Sequence, residues 1–181
     1  MFSLNCKGKL LFIDKPLVMG ILNITEDSFY PGSRVQNIDA IKNKATQMLN
    51  EGADILDIGA QSTRPESKRI SADEELKKLL PAIEMLNKFF PDTIISIDTY
   101  HSKVAEICVQ AGAAIINDIS GGEMDKGMIA TVAKLKVPYI CMHIKGVPET
   151  MQQNTNYVNV TKDVLDFFIK KIYECKLAGI H

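Results

Sequence analysis

"GADILDI", residues 52–58, sets a glycine and a small residue before Ile55-Leu56-Asp57-Ile58, a short apolar run with one carboxylate in it. Further along, the pattern returns as "GAAIINDI", residues 112–119, with Asn117 in the place of Asp57. In both copies the glycine follows an amphipathic stripe, where a left-handed residue closes a helix. The run after it suits a strand buried on both faces. A third copy starts at "LAGI", 177–180, and the sequence ends at His181 before the strand expected next.

Outward from these copies the same alternation fills the chain. Apolar runs occur at "PLVMGILNI" (16–24), "ADILDIG" (53–59), "TIISID" (93–98), "AAIIND" (113–118) and "VPYICMH" (137–143). Between and after them lie stripes at three- and four-residue spacing, the mark of helices with one buried face. They are Ile41/Ala45/Met48/Leu49, Leu76/Leu79/Leu80/Ile83, Val104/Ile107/Cys108/Ala111, Met128/Ile129/Val132/Ala133 and Val164/Phe168/Ile172/Cys175. Ser71-Ala72-Asp73-Glu74 fits a capping box at the start of the second helix. Pro81 lies inside that helix and is expected to kink or break it. Gly52, Gly112 and Gly179 are expected at helix ends.

Strand alternating with helix implies right-handed crossovers and a parallel sheet. Two architectures satisfy that. A dinucleotide-binding doubly wound sheet wants G-x-G-x-x-G after its first strand, and "GILNIT" lacks it. No P-loop is present either. Instead a polar residue closes nearly every run: Asn23, Asp57, Asp98, Asn117 and His143. A β/α barrel gathers its chemistry at the C-terminal ends of its strands. By alternation Asn23 shares a face with Ile21 and Met19, Asp98 with Ser96, and Asn117 with Ile115. The polar row favours a TIM-type α/β barrel, and the arithmetic stands against it: five strands are counted where a full barrel takes eight and about 250 residues.

Composition excludes several function classes. The chain has 181 residues, is 46% hydrophobic and 24% charged, and carries a formal net charge of −1. No basic patch or acidic tail stands out, so neither nucleic acid nor a membrane surface is an expected partner. "MFSLNCKGKLLFIDKP" is charged throughout and has no apolar core of a signal peptide. Cys6, Cys108, Cys141 and Cys175 form no C-x-x-C pair, and Cys108 and Cys175 fall on helix stripes, which suggests buried free thiols and a cytoplasmic protein. Three scattered histidines give no zinc spacing. The sequons at Asn23 and Asn159 mean little without secretion.

Two loops and two strand ends can carry chemistry. Thr25 to about Val35 contains turn residues, but they do not explain the adjacent aromatics Phe29-Tyr30. "AQSTRPESKRIS" (60–71) places Ser62-Thr63-Arg64 next to a strand end, where hydroxyl and guanidinium donors suit a phosphate; Lys68 and Arg69 read better as solvated. Asp98, at the end of a very apolar strand, can accept two N–H groups from a planar heterocycle, and Asn117 offers both a donor and an acceptor. Either could equally bond a neighbouring loop. His143 suits a base or a structural hydrogen bond, His101 a helix start, and Gly121-Gly122 a close approach to a ligand or a plain turn.

With these motifs assembled, the chain resembles dihydropteroate synthase. "GILNITEDSF", "DIGAQSTRP", "ISIDT", "IINDISG" and "MHIKGVPETMQ" match that family's first five strands and their loops in order. Glu26 stands where the family usually has proline, and "RPES" where it has Arg-Pro-Gly. The family continues with further strands that lie beyond His181, carrying an Asp-Pro-Gly motif, a pterin lysine and an Arg/His phosphate pair. The resemblance implies condensation of 6-hydroxymethyl-7,8-dihydropterin pyrophosphate with p-aminobenzoate, releasing pyrophosphate. It implies catalytic roles for Asp27, Thr63, Arg64 and Asp98, and pterin contacts from Thr63, Asp98, Asn117 and Met142. It places Ser28, Phe29 and Pro65 at the p-aminobenzoate pocket and Asn23 on Mg²⁺. Loop 25–35 would close over the site as a lid. A homodimer is also implied, through later helices. Two alternatives remain: a non-catalytic pterin-binding remnant, and a methyltetrahydrofolate-binding domain.

Overall fold

The computed structural model describes residues 2–24, 34–61, 69–148 and 150–181. Strands β1 (Phe2–Cys6) and β2 (Lys9–Ile13) pair antiparallel, from Phe2 opposite Ile13 to Cys6 opposite Lys9. Lys7 and Gly8 turn the chain between them with φ of 54° and 90°, the backbone of a two-residue hairpin turn. The Gly8 N–H donates to Asn5 Oδ1 at 2.7 Å. This hairpin is absent from the expectations above; the signal for it is "KG" between two short apolar runs.

The rest alternates as expected: β3 (Met19–Asn23), α1 (Arg34–Asn50), β4 (Ile55–Gly59), α2 (Ala72–Phe89), β5 (Ile94–Asp98), α3 (Ser102–Gln110), β6 (Ile115–Asp118), α4 (Met128–Leu135), β7 (Tyr139–Cys141) and α5 (Val160–Leu177). The five strands β3 to β7 are parallel and lie side by side in chain order. A doubly wound sheet reverses its order at a switch point. This one never does, which is the order of a barrel wall.

The two faces of the sheet have different tenants. Leu22, Ile58, Ile97 and Ile116 face outward into one core with Ile41 and Ala45 of α1, Leu79, Ile83 and Leu86 of α2, Cys108 of α3 and Val132 of α4. Each such aliphatic side chain contributes roughly 1.5–3 kcal/mol on burial. Inward, Met19, Ile55, Ile94 and Ile115 pack with Leu4, Cys6 and Leu11 of the hairpin. The hairpin thus covers the N-terminal end of the inward face, and the C-terminal end is left for chemistry.

Local signals hold with two corrections. The capping box forms: Ser71 Oγ accepts from the Glu74 N–H at 3.3 Å, and Glu74 Oε2 accepts from the Ser71 N–H at 2.8 Å. Gly52, Gly112 and Gly179 have φ of 101°, 122° and 89°. Asn159 caps α5 by accepting from the Lys162 N–H at 3.0 Å. Pro81, however, does not break α2, which runs from Ala72 to Phe89. The cost of about 3 kcal/mol is outweighed because Leu79, Ala82, Ile83 and Leu86 on either side of it are buried. The second correction concerns α5: Ile172 is exposed and Cys175 only half-buried, while Lys171 is the buried residue. Its ammonium reaches Glu123, and Glu174 at 2.8 Å, which satisfies the charge that burial would otherwise penalise.

Candidate active site at the C-terminal rim of the sheet

Strand register places the expected residues in one row. Asn23 is level with Gly59, Gly59 with Asp98, Asp98 with Asn117, and Asn117 with Ile140. Partners level across a sheet point to the same side, and this is the side away from the helices. Asn23 is exposed, and Asp98 and Asn117 are half-buried. The ladder extends past the strand ends, with the Ile24 N–H donating to the Gly59 carbonyl at 2.7 Å and the Thr99 N–H to the Asn117 carbonyl at 3.0 Å. Met142 lies just beyond β7, two residues past Ile140, and is exposed at the same rim.

Asp57 departs from expectation. The repeated motif puts it in the same place as Asn117, at the rim, yet it sits mid-strand, level with Ile21 and Ser96, one inward row below Asn117. The two copies of the motif are staggered along the barrel wall, as closing a barrel requires. Asp57 is nevertheless joined to the rim: Asn117 Nδ2 donates to Asp57 Oδ2 at 3.0 Å, reaching across β5. The residue between them on the lower row is Ser96, small enough to be bridged over.

Burial raises the pKa of the Asp98 carboxyl to about 7, helped by the negative charges of Asp57 and then Asp118. A carboxyl poised there can exchange a proton near neutrality or hold a cationic partner. It also lies close over Gly59, where a Cβ would sit 3.2 Å from Asp98 Oδ2.

A second polar layer stands behind the rim. Glu75 of α2 is fully buried, 3.9 Å from His101 Nε2. Its pKa is raised to about 7, chiefly by desolvation and further by Asp98, against an opposing pull from Thr99 and Gln61. Gln61 donates to the Ile70 carbonyl at 2.9 Å and accepts from the Ile70 N–H at 3.4 Å, so it ties the end of β4 to the residue before the α2 cap. Sequence reasoning missed Glu75 and Gln61. The signal for Glu75 is its place on the apolar face of α2, four residues before Leu79. His101 starts α3 as expected, without a side-chain cap bond.

Asp118 points to the helix side and is fully buried. It accepts from the Ser120 N–H and Oγ, the Gly122 N–H and the Tyr139 hydroxyl, all at 2.7–2.8 Å. Gly121 and Gly122 turn the chain there, and a Cβ on Gly121 would meet Cys141 Sγ at 2.8 Å. That settles their reading as a turn packed on the protein itself. His143 packs its ring edge-on against Phe167, centroids 4.9 Å apart.

Asp27, Ser28 and Phe29, and Thr63, Arg64 and Pro65, lie outside the described residues. The described residues that flank them, Asn23-Ile24 and Gln61, are both at this rim. Among the described residues no group of three or more His, Cys, Asp or Glu side chains is arranged to hold a metal ion, and no helix is long and apolar enough to cross a membrane.

The family model for pterin binding enzymes matches residues 19–181. A mitochondrial folate synthesis bifunctional protein of Pisum sativum is 46% identical over 178 residues, 96% of this chain and 34% of the pea protein. The dihydropteroate synthase of Haemophilus influenzae is 39% identical over 98% of this chain and 64% of its own length. The chain thus spans about a third of the bifunctional relative and under two thirds of the bacterial one. In structure it is similar to the Xanthomonas albilineans dihydropteroate synthase solved with 4-aminobenzoic acid, with a TM-score of 0.87 and 36% identity over 99% of this chain and 63% of that one. A family match across nearly the whole chain, joined to a parallel barrel wall with its polar row at the C-terminal rim, establishes that the chain belongs to the pterin binding enzyme family.

Proposed function

We propose that this chain forms the pterin-binding side of a dihydropteroate synthase, which joins 6-hydroxymethyl-7,8-dihydropterin pyrophosphate to p-aminobenzoate and releases pyrophosphate. The observation that carries the reading is the inward pair Asp98 and Asn117, level on adjacent strands at the rim. A pterin presents adjacent ring N–H and amino groups, and two neighbouring hydrogen-bonding side chains at fixed spacing suit such an edge. Holding that edge also orients the methylene at which the new C–N bond forms. The aniline nitrogen attacks, pyrophosphate leaves with the electrons of the broken C–O bond, and the nitrogen then sheds a proton. Asp98, Asn117 and Met142 bind the pterin; Asp27, Thr63 and Arg64 attend the reacting centre; Ser28, Phe29 and Pro65 line the p-aminobenzoate pocket. The named relatives are folate-synthesis proteins, and one was solved with 4-aminobenzoic acid, which is why condensation is preferred to methyl transfer.

Asn23 fits Mg²⁺ as a hard amide oxygen exposed at the rim, because this ion takes few protein ligands and fills its shell with phosphate oxygens and water. Bound there, the ion would neutralise the departing pyrophosphate. The cytoplasm suits the four cysteines, none of which is in a disulfide. The test is calorimetric titration of the chain with pterin pyrophosphate with and without Mg²⁺. Binding that strengthens at least tenfold with Mg²⁺, and loses that gain in Asn23→Ala, is expected. Metal-independent binding would reject the metal role, and no binding to any pterin would reject the function.

A further inference from the structure

Asp57 is buried, with 4% of its surface exposed, in a strand whose five residues are all buried. None of the chemistry above uses it. A carboxylate so placed is costly unless it is partnered, and among the described residues only Oδ2 is, by Asn117. Among those residues Oδ1 has no partner, and neither does the hydroxyl of Ser96 level with it. The contact crosses a whole strand, so it is not a consequence of ladder pairing. It exists because Ser96, between the two strands, is small enough for the β4 and β6 side chains to meet over it.

That contact has a polarity. An ionised carboxylate only accepts hydrogen bonds, so the Asn117 amide must turn Nδ2 toward Asp57. Its Oδ1 is then turned away from Asp57. We infer that Asp57 is a positioning residue that sets substrate selectivity, by locking the Asn117 amide so that Asn117 Oδ1 and the Asp98 carboxyl together offer acceptors to a donor-rich edge. A 2-aminopyrimidinone edge supplies such donors. Its 2-oxo analogue presents a carbonyl where the amino group was and is rejected, because an acceptor then faces an acceptor. The lock itself is independent of the proposed reaction; the choice between 2-amino and 2-oxo rings rests on that reading.

Two measurements separate these parts. In the ligand-free chain, ¹⁵N NMR of the Asn117 side chain is expected to show one amide proton shifted downfield and protected from exchange. Asp57→Ala abolishes this signature, and Asp57→Asn, which retains an acceptor, keeps part of it. An Asn117 amide exchanging freely in the wild type, or unaltered in Asp57→Ala, overturns the lock. Affinities for 6-hydroxymethylpterin and 6-hydroxymethyl-lumazine are then compared. The wild type is expected to favour the pterin, and Asp57→Asn to shrink that ratio about tenfold, because a pair of amides can hydrogen-bond in either sense. Both ligands weakening together in Asp57→Asn would mean a structural role and overturn the selectivity claim. A wild type that shows the NMR signature but binds neither ring sinks the proposed function and the selectivity with it, and leaves the lock standing.

Discussion

Gly59 occupies the rim position between Asn23 and Asp98, the one place in the polar row without a side chain. A methyl group there would sit 3.2 Å from Asp98 Oδ2 and 3.3 Å from its Cβ, tighter than ordinary van der Waals contact, so Asp98 must shift. Gly59→Ala is therefore expected to weaken pterin binding about tenfold while leaving the urea midpoint nearly unchanged, since no core atom is displaced. Calorimetry with a chemical denaturation curve checks it. Unchanged affinity would mean that Asp98 does not bind the ring where its present position puts it. The placement of Asp98 and Asn117 side by side on one face was legible in the sequence because strand alternation fixes which way a side chain points. The depth of Asp57 was not, because alternation within one strand says nothing of the stagger between strands. Its identity with Asn117 in the repeated motif was real in sequence and misleading in space.

Among the elements, α2 carries a fully buried carboxyl, Glu75. Its capping box and apolar stripe were readable, but Glu75 was overlooked because a Glu in the first turn of a helix is ordinarily a solvated complement to the helix dipole. Here it is buried, with a pKa near 7 against an ordinary value of 4.5, held up mainly by desolvation. The sign of the consequence follows from proton counting. Below about pH 4 both folded and unfolded states are protonated at Glu75, and stability is undiminished. Between there and pH 7 the unfolded chain releases its proton first, so stability falls as pH rises, by on the order of 2–3 kcal/mol in all. Glu75→Gln cannot ionise. It is expected to match or fall below the wild type at pH 4 and to gain on it by that amount at pH 8. Asp98, raised in the same direction, leaves some pH dependence in the variant. Urea midpoints at the two pH values decide, and a variant no better placed at pH 8 than at pH 4 would show that Glu75 does not titrate in this range. Pro81 teaches the complementary lesson: a local rule against proline in a helix gives way when the helix on both sides of it is buried.

At the scale of the whole molecule, the outward core is closed and the inward side is open. Among the described residues β3 and β7 each pair on one side only. Val18 and Ile21 at the β3 edge are more than half exposed, and Ile140 and Met142 at the β7 end are 38% exposed. Leu165, Ile169, Ile172, Tyr173 and Leu177 run along α5 at helical spacing, each more than half exposed. A cavity of about 880 Å³ opens between the hairpin, α4, β7 and the residues after α5, lined by Leu4, Ile13, Met19, Ile115, Tyr139 and Ile180. None of the described site residues Asn23, Asp98, Asn117 and Met142 lines it, so it lies apart from the polar rim. An open parallel edge templates pairing with another chain, and an apolar stripe of this size marks an interaction surface. Covering the α5 stripe contributes roughly 1 kcal/mol per side chain, enough to bias association once the edges also pair. A polypeptide of these 181 residues is therefore expected to sediment well above its 20.1 kDa monomer at tens of micromolar. Placing opposite charges in the stripe, Ile169→Glu with Ile172→Lys, should return much of it to monomer without changing its far-UV circular dichroism, because neither side chain is part of the core. A wild-type chain sedimenting as a single 20 kDa species would show that these exposed apolar surfaces do not drive association.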